Sequence, residues 1–254
     1  MLSTRVIPVL LLKDQGLVKG EKFRNHRYVG DPINAVRIFN TKEVDELVFF
    51  DIMVNRNGGK PDYGFLADIA SEAFMPFGYG GGLTEVADIE RLFKVGVEKA
   101  IINTGSFDLD LIKNASRIAG SQSIVASIDV RKSLLGKYEV YIRSGTCNTK
   151  MDPVTHARRL EEAGAGELIV CSMDREGTLR GYDLELISRV SAAVSLPVVA
   201  SGGAGSIDDM KRAAMAGASA AAAGSMFVFH GKRKAVLITY PKYSELMAAL
   251  EERK

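Results

Sequence analysis

The chain has little of what marks a secreted, membrane-bound or nucleic-acid-binding protein. Its 254 residues include only two cysteines, Cys147 and Cys171, whose spacing fits neither a metal site nor a disulfide framework. No apolar run reaches the roughly 18 residues that a membrane span requires, and the net charge of +2 gives no broad attraction to nucleic acid or membrane. We therefore expect a cytoplasmic protein without a signal peptide, a metal or another cofactor, with both thiols packed inside it.

The remaining composition is that of an ordinary globular protein, and the length suits one architecture. Apolar residues make up 46% and charged residues 25% of the chain, and 254 residues is about the usual size of a barrel of eight strand–helix units. Short apolar runs predict buried parallel strands at 5–12, 47–52, 75–79, 99–103, 124–129, 167–172, 198–201 and 219–223. Helical patterns lie between them at 31–40, 63–73, 86–95, 108–119, 153–163, 183–194, 207–216 and 243–251. Thr84 and Ser206 stand where helix N-caps belong, and Gly96, Gly164 and Gly217 where C-caps belong.

An internal repeat indicates how these units are arranged. A spacing of 121 residues separates Gly81 from Gly202, Gly96 from Gly217, and Glu46 from Glu167. Alternating strands and helices predict a parallel sheet, and the half-length repeat favours a closed (β/α)8 TIM barrel over an open doubly wound sheet. We expect a single domain over residues 1–254, built from two half-barrels of about 1–120 and 121–254.

Glycine-rich loops end the third and seventh predicted strands. Gly81 and Gly82 in the first loop, and Gly202 and Gly203 in the second, allow the backbone to approach an oxyanion closely. Small or hydroxyl residues end the neighbouring strands in both halves, as Asn103 and Thr104 and as Gly224 and Ser225. Each loop could be only a tight strand-to-helix turn, but the paired arrangement predicts two phosphate sites and hence a small substrate with a phosphate at both ends.

Carboxylates and a lysine follow other strands, on the face where such barrels carry their chemistry. Asp129 closes the fifth strand and could act as an acid or base, or serve only as a cap. Asp51 and Asp174 could orient substrate hydroxyls or play a structural part. Lys19, in the first strand-to-helix loop, could meet a phosphate or lie in solvent.

Four charged residues stand at the opposite ends of the strands. Arg5, Glu46, Lys99 and Glu167 lie at the beginnings of strands one, two, four and six. Such charges are often only stabilising ion pairs or solvated ends. Because two acids and two bases can alternate around the axis, they could also form a ring that gates a central passage.

The motifs taken together resemble the cyclase subunit of imidazole glycerol phosphate synthase, a duplicated half-barrel family of histidine biosynthesis. The resemblance runs from Arg5 to about Phe229 and is carried by Lys19-Gly20, Asp45-Glu46-Leu47, Asp51-Ile52, Gly80-Gly81-Gly82, Ile102-Asn103, Ile128-Asp129, Gly164-Ala165-Gly166-Glu167, Ser172-Met173-Asp174, Gly177-Thr178, Gly181-Tyr182-Asp183 and Ala200-Ser201-Gly202-Gly203-Ala204-Gly205. It implies a glutaminase subunit docked at the N-terminal barrel face, whose ammonia passes through the barrel to a phosphorylated substrate. It also implies that Arg5, Glu46, Lys99 and Glu167 form the ammonia gate, and that Lys19, Asp51, Asp174, Glu176 and Ser201 bind substrate.

One departure from the family pattern bears directly on the chemistry. The family works with two aspartates, of which one matches Asp129, whereas Leu11 stands at the other position. A leucine cannot transfer a proton, and Asp14, three residues later, is not an obvious substitute. Met53 and Glu176 also depart from the usual residues, while all four gate residues match. The ammonia-receiving end is thus kept and the cyclase end altered.

That asymmetry resembles a side branch of the family encoded with surface-polysaccharide genes. There, a glutaminase and a barrel subunit are thought to supply ammonia to a third, ATP-dependent amidotransferase that converts an acetamido sugar to an acetamidino sugar. The apolar segment 227–241 also resembles this branch, as a contact surface or an extra turn packed on the barrel. Two alternatives remain: a true cyclase that tolerates Leu11, and a sister aldose–ketose isomerase, against which Leu11 and the gate both count.

Overall fold

A computed structural model of the chain describes residues 4–54, 59–231 and 233–251. Its strands are β1 (Arg5–Lys13), β2 (Gly16–Glu21), β3 (Arg24–Gly30), β4 (Leu47–Asp51), β5 (Phe77–Gly80), β6 (Lys99–Ile102), β7 (Ile124–Lys132), β8 (Tyr138–Ile142), β9 (Cys147–Asn148), β10 (Glu167–Ser172), β11 (Val198–Ser201), β12 (Ala220–Ala223), β13 (Phe229–His230) and β14 (Ala235–Val236). Its α-helices are α1 (Pro32–Thr41), α2 (Tyr63–Glu72), α3 (Val86–Lys94), α4 (Leu109–Ala119), α5 (Pro153–Glu162), α6 (Leu184–Ser191), α7 (Ile207–Met215), α8 (Ser225–Val228) and α9 (Tyr243–Glu251). Short 3-10 turns cover Thr104–Phe107 and Ser121–Ser123.

Eight of these strands run parallel and close into a barrel, which confirms the predicted fold class. Neighbouring strands pair in the order β1, β4, β5, β6, β7, β10, β11 and β12, and β12 pairs back to β1 from Arg5–Ala220 to Pro8–Ala223. The eight predicted strands and eight predicted helices correspond to these elements within about three residues at each end. Barrel closure carries the carboxyl ends of all eight strands to one face.

The core has two parts because side chains alternate along each strand. Val6, Leu10 and their counterparts point outward and pack under the helices. Ile7 and Val9 point inward, and they form a separate apolar cluster inside the barrel with Val48, Ile101, Val125, Ile169, Val199, Ala220 and Ala222. The lumen between the two barrel faces is therefore apolar.

The described residues form several antiparallel hairpins that were not predicted, and three of them bear on the predicted site residues and segments. β2 and β3 form the first, so Lys19 lies in strand β2 and not in the expected loop. Its tip turns at Lys22 and Phe23, with φ of 51° and 64°, where a hairpin usually has Asn or Gly, so the usual turn signal is missing. The second hairpin is β7–β8. Pairing with β8 continues β7 as far as Lys132, so Asp129 lies inside β7 and not at its end, where it was predicted. The third hairpin, β13–β14, falls in the apolar segment 227–241.

That apolar segment is partly packed and partly exposed. Phe227 and Val228 are buried, and the Tyr240 ring packs on Phe227 with its hydroxyl donating to the Val6 carbonyl at 3.1 Å. Val236 and Leu237 are about half exposed. The segment is thus packed on the barrel at Phe227, Val228 and Tyr240, while its role as a contact surface stays a prediction.

The 121-residue repeat reappears in the hydrogen bonds that begin the helices. Asp31 and Asp152 cap α1 and α5, each followed by a proline, and accept the Asn34 N–H at 2.8 Å and the Thr155 N–H at 2.9 Å. The predicted C-cap glycines lie one residue beyond the helix C-caps, in the left-handed region that favours glycine.

A second pair of equivalent acids holds each glycine loop to the helix after it. Asp209 is buried and accepts hydrogen bonds from the Gly205 N–H and the Ser206 hydroxyl, both at 3.0 Å. Its counterpart Asp88 accepts from the Thr84 N–H at 3.2 Å and the Glu85 N–H at 3.1 Å. Ser206 is an N-cap as predicted. The prediction for Thr84 was wrong by one residue, because the reciprocal bonds of the capping box are made by Glu85 and Asp88.

We expect Asp209→Ala to lower the free energy of unfolding by about 1–2 kcal/mol, because it removes the buried carboxylate that holds the Gly205 N–H and the Ser206 hydroxyl at the start of α7. The matched control is Asp208→Ala, which removes an adjacent carboxylate that is 72% exposed and pairs with Arg212. The control should change stability by less than about 0.5 kcal/mol. Urea unfolding measures both, and equal losses would contradict the anchoring role of Asp209.

Candidate functional site

A cavity opens at the face of the barrel where the strands end, and it collects most of the predicted site residues. Those that line it are Asp51, Gly81, Gly82, Asn103, Thr104, Asp129, Glu176 and Ser201. Leu11 lines the same cavity. These residues come from seven separate segments of the chain, and they meet around one space.

Asp129 is the most buried carboxylate of this cavity. Its side chain is 9% exposed and accepts a hydrogen bond from the Asn103 amide at 3.2 Å. Burial, followed by the nearby Glu176 carboxylate, raises the pKa of Asp129 to about 7. A carboxyl group with this pKa can both release and accept a proton near neutral pH, as a general acid or base must.

Leu11 occupies the place where the family resemblance implies a second acid. It pairs in register with Phe50 of β4, whose ring also lines the cavity. Asp14 does not replace it, because Asp14 is exposed at the tip of the β1–β2 turn and does not line the cavity. Asp51 does line it, but one of its oxygens accepts the Met53 N–H at 3.0 Å and the Val54 N–H at 3.2 Å. The site thus has Asp129 opposite an apolar wall.

The first glycine loop is shaped by close approach of the backbone. Gly81 and Gly82 have φ of 154° and 66°, and a Cβ on Gly82 would overlap the Val54 side chain. Thr104 stands beside them, and its hydroxyl accepts the Arg143 N–H at 3.0 Å. This hydroxyl therefore ties the β8–β9 turn to the cavity rim.

The second glycine loop places a buried cation beside a buried hydroxyl. Gly202 and Gly203 have φ of 91° and 106°, and a Cβ on either would overlap backbone oxygens. The Ser225 Oγ is buried and has no hydrogen-bond partner among the described residues. Lys19 is 2% exposed, and its ammonium group lies against Gly224 and 2.5 Å from a Glu176 oxygen. An orphan buried hydroxyl, one residue along the chain from the glycine that an ammonium group contacts, suits an anion.

Of two further predicted residues, one lines the cavity and the other lies outside it. Ser201 is buried on the cavity wall, next to Cys171. Asp174 is 44% exposed and lies outside the cavity, with one oxygen 3.0 Å from the Lys132 N–H and the other 3.4 Å from Arg131. The structure does not bring Asp174 together with Asp129.

Several lining residues were missed from the sequence. Phe23 and His26 reach the cavity from the β2–β3 hairpin, and Ser144 from the β8–β9 turn. Cys171 was expected to be only a packing residue, yet its thiol faces the cavity beside Asp129. Burial and the Asp129 and Glu176 carboxylates raise the pKa of this thiol, so it stays protonated. Cys147 was expected to be buried and is exposed, because it lies on the two-residue strand β9 outside the barrel.

The four charged residues at the other barrel face form one continuous ring of ion pairs. Arg5 binds Glu46 at 2.6 Å and also binds Glu167, while Lys99 binds Glu46 at 2.8 Å and Glu167 at 2.9 Å. Both glutamates are nearly inaccessible, whereas the Arg5 side chain is 35% exposed. The alternation of charge predicted from the sequence is therefore present.

Within the described parts of the chain, no group of three or more His, Cys, Asp or Glu side chains is placed to hold a metal ion. None of the helices described there is long and apolar enough to span a bilayer.

Comparison with known proteins shows the family to which this barrel belongs. A family model described as histidine biosynthesis protein matches residues 5–234. The chain belongs to this family. A Pseudomonas aeruginosa protein provisionally named imidazole glycerol phosphate synthase subunit hisF2 is 49% identical over 97% of this chain and 99% of its own. A Vibrio vulnificus protein provisionally named subunit hisF3 is 45% identical over 99% and 98%. Subunit HisF of Alkaliphilus metalliredigens is 39% identical over 91% and 92%. The chain is thus a HisF-like barrel of the histidine-biosynthesis family.

We expect Asp129→Asn to be more stable than the wild-type chain at pH 8 but not at pH 4. The folded chain keeps on Asp129, with its pKa of about 7, a proton that the unfolded chain releases near 3.8. Wild-type stability therefore falls between these pH values relative to the variant, and the difference is constant above pH 7. Above pH 7 the variant should therefore be more stable than the wild-type chain by about 4 kcal/mol. Urea unfolding of both proteins from pH 4 to 8 measures this difference, and parallel pH profiles would contradict the buried proton.

Proposed function

We propose that this chain is the barrel subunit of a cytoplasmic glutamine amidotransferase complex that delivers ammonia for amidination of a surface-polysaccharide sugar. A glutaminase subunit docks at the N-terminal face and releases ammonia into the barrel. A third, ATP-dependent amidotransferase uses it to convert an acetamido to an acetamidino group. The observation that carries this proposal is the difference between the two barrel faces: the charged ring is complete, whereas Leu11 faces Asp129.

The ring and the lumen behind it support the ammonia route. Arg5 and Lys99 hold Glu46 and Glu167 together across the N-terminal opening. The inward residues between the ring and Asp129 include valine, isoleucine and alanine. An apolar lumen disfavours a charged ammonium ion and admits neutral ammonia more easily. The ring is thus placed to admit ammonia by a small rearrangement of its ion pairs.

Leu11 supports a reduced role in the cyclase reaction. Cyclisation needs acid–base help, and one such group is typically worth about 10²–10⁴-fold in rate. Asp129 is one such group. Asp51 is less suited to be the second, because backbone N–H groups already donate to one of its oxygens.

The hairpin β13–β14 offers a surface at the cavity rim for an acceptor protein. The Arg27 guanidinium stacks on Phe229 and donates to the Lys234 carbonyl, which ties this hairpin to β2–β3. Val236 and Leu237 remain about half exposed beside it. This arrangement supports the segment as a contact surface.

A true cyclase of histidine biosynthesis is the second candidate. It would form imidazole glycerol phosphate and the aminoimidazole carboxamide ribonucleotide from the bisphosphorylated ribulosyl substrate and ammonia. The orphan hydroxyl of Ser225 beside Lys19 favours it, because both suit a substrate phosphate. Gly81, Gly82, Asn103 and Thr104 would bind the other phosphate.

The ammonia route predicts that glutaminase activity depends on this barrel. The glutaminase subunit encoded in the same genome should release glutamate from glutamine about tenfold faster or more when the barrel is bound. Glu46→Gln together with Glu167→Gln removes both acids of the ring and should change this stimulation, whereas Asp208→Asn, on an exposed helix face, should not. A glutaminase that neither binds the barrel nor responds to it would refute the proposal.

The two candidate functions separate in an assay with ammonium salts and no partner. We expect the wild-type chain not to turn over the bisphosphorylated ribulosyl substrate measurably, and Leu11→Asp to gain turnover of about 10²-fold or more. Leu11→Asn, which has nearly the same shape but carries no charge, is the control and should stay inactive. Turnover by the wild-type chain equal to that of Leu11→Asp would favour the true cyclase.

A further inference from the structure

A buried polar pair lies beneath the loop that follows β6. Ser106 and His156 are each 1% exposed, and the Ser106 Oγ and the His156 Nε2 are 3.0 Å apart. The Phe107 ring stacks on the imidazole with ring centres 4.3 Å apart. Neither residue lines the cavity, and neither is among the site residues described above.

The hydrogen bonds determine which atom carries each proton. The Ser106 hydroxyl donates to the Asn103 carbonyl at 2.5 Å, so it must accept from His156 Nε2. Burial, with a smaller effect of Arg159, lowers the pKa of His156 to about 4, so the ring is neutral. The Nδ1 atom is then unprotonated, and it has no partner among the described residues.

This chain of donors ends at Asp129. Ser106 holds the Asn103 carbonyl with its hydroxyl and also with its N–H, at 3.0 Å. The Asn103 amide in turn donates to the Ser127 carbonyl at 3.0 Å and to the Asp129 carboxyl at 3.2 Å. Fixing the Asn103 backbone therefore fixes the direction from which its side chain reaches Asp129.

The second half-barrel shows that the fold does not require a polar pair here. At a spacing of 121 residues, Ser106 corresponds to Phe227 and His156 to Ala35, and both counterparts are buried in the apolar core. Asn103 corresponds to Gly224, which has no side chain to orient. The polar pair occurs only in the half where an asparagine touches the buried carboxyl group.

A buried pair that leaves one nitrogen unsatisfied is costly compared with an apolar pair of similar volume. We propose that Ser106 and His156 are positioning residues that hold the Asn103 amide on the Asp129 carboxyl group. This inference rests on the proposed role of Asp129 as the proton-carrying group. It does not depend on which acceptor finally receives the ammonia.

Other groups also face Asp129 and must stay constant in a test. They are Glu176 with its partner Lys19, the thiol of Cys171, Asp51, His26 and Tyr141. Substitutions at Ser106 and His156 leave all of them in place.

The test follows the titration of Asp129 in the isolated barrel by carboxyl ¹³C NMR, with Asp129→Asn assigning the signal. Asn103→Ala removes the donor and should raise the observed pKa by about one unit. Ser106→Ala and His156→Phe should shift it in the same direction by about half a unit or more, because a poorly held donor favours the ionised form less. His156→Gln keeps an N–H in reach of Ser106 and should restore the wild-type titration.

A double variant separates positioning from folding. Ser106→Phe combined with His156→Ala copies the arrangement of the second half-barrel, so it should fold and should still raise the pKa of Asp129. Ser116→Ala is the control, since it removes a comparable bond to the Gly164 carbonyl at 2.7 Å in the same helix layer. The proposal is wrong if the folded Ser106 and His156 variants all titrate within about 0.2 unit of wild type, or if Ser116→Ala shifts the titration equally. Because no partner or substrate is present, a negative result leaves the ammonia route untouched, and failure of the ammonia route leaves this test valid.

Discussion

Closure of the sheet between β12 and β1 is the constraint on which the rest of the molecule depends. The strand that closes the barrel is Ala220–Ala223, whose alanines have weak strand propensity by themselves. It is held because both of its neighbours, β11 and β1, offer parallel pairing, and because its small side chains fit both the lumen and the helix layer. Once the ring of strands is closed, there is one face of strand starts, one face of strand ends, and an enclosed lumen between them.

Buried carboxyl groups are stabilised differently at the two faces. At the N-terminal face, each buried glutamate touches two cations, so all four charges are compensated within the ring. At the C-terminal face, Asp129 has an amide donor but no paired cation within the parts of the chain that the structure describes, where Lys19 is paired with Glu176. Its charge is therefore disfavoured, and its proton is retained to about neutral pH. Leu11 contributes an apolar side chain to the wall of the same cavity.

Duplication explains why equivalent positions of the two half-barrels make the same contacts, and it makes the positions that differ informative. The capping acids Asp31 and Asp152, and the loop anchors Asp88 and Asp209, do the same work in both halves. Positions where the halves differ, such as Ser106 against Phe227, are not needed by the common fold. Such differences point to residues kept for the chemistry of one half.

The sequence by itself determined the eight strand–helix units, the repeat, the four charges of the ring and the apolar residue at position 11. These follow from local patterns and from spacing, since apolar runs, capping residues and glycine loops act within a few positions along the chain. Only the tertiary structure decided that Lys19 is buried against Glu176, that Asp174 lies apart from Asp129, and that Cys171 faces the cavity. The position of Lys19 depends on the β2–β3 hairpin, whose turn at Lys22 and Phe23 lacks the usual residues. The position of Cys171 depends on which of the two alternating faces of its strand closes around the lumen. Contacts between residues far apart in the chain set the burial of a charge, and burial in turn sets its proton affinity.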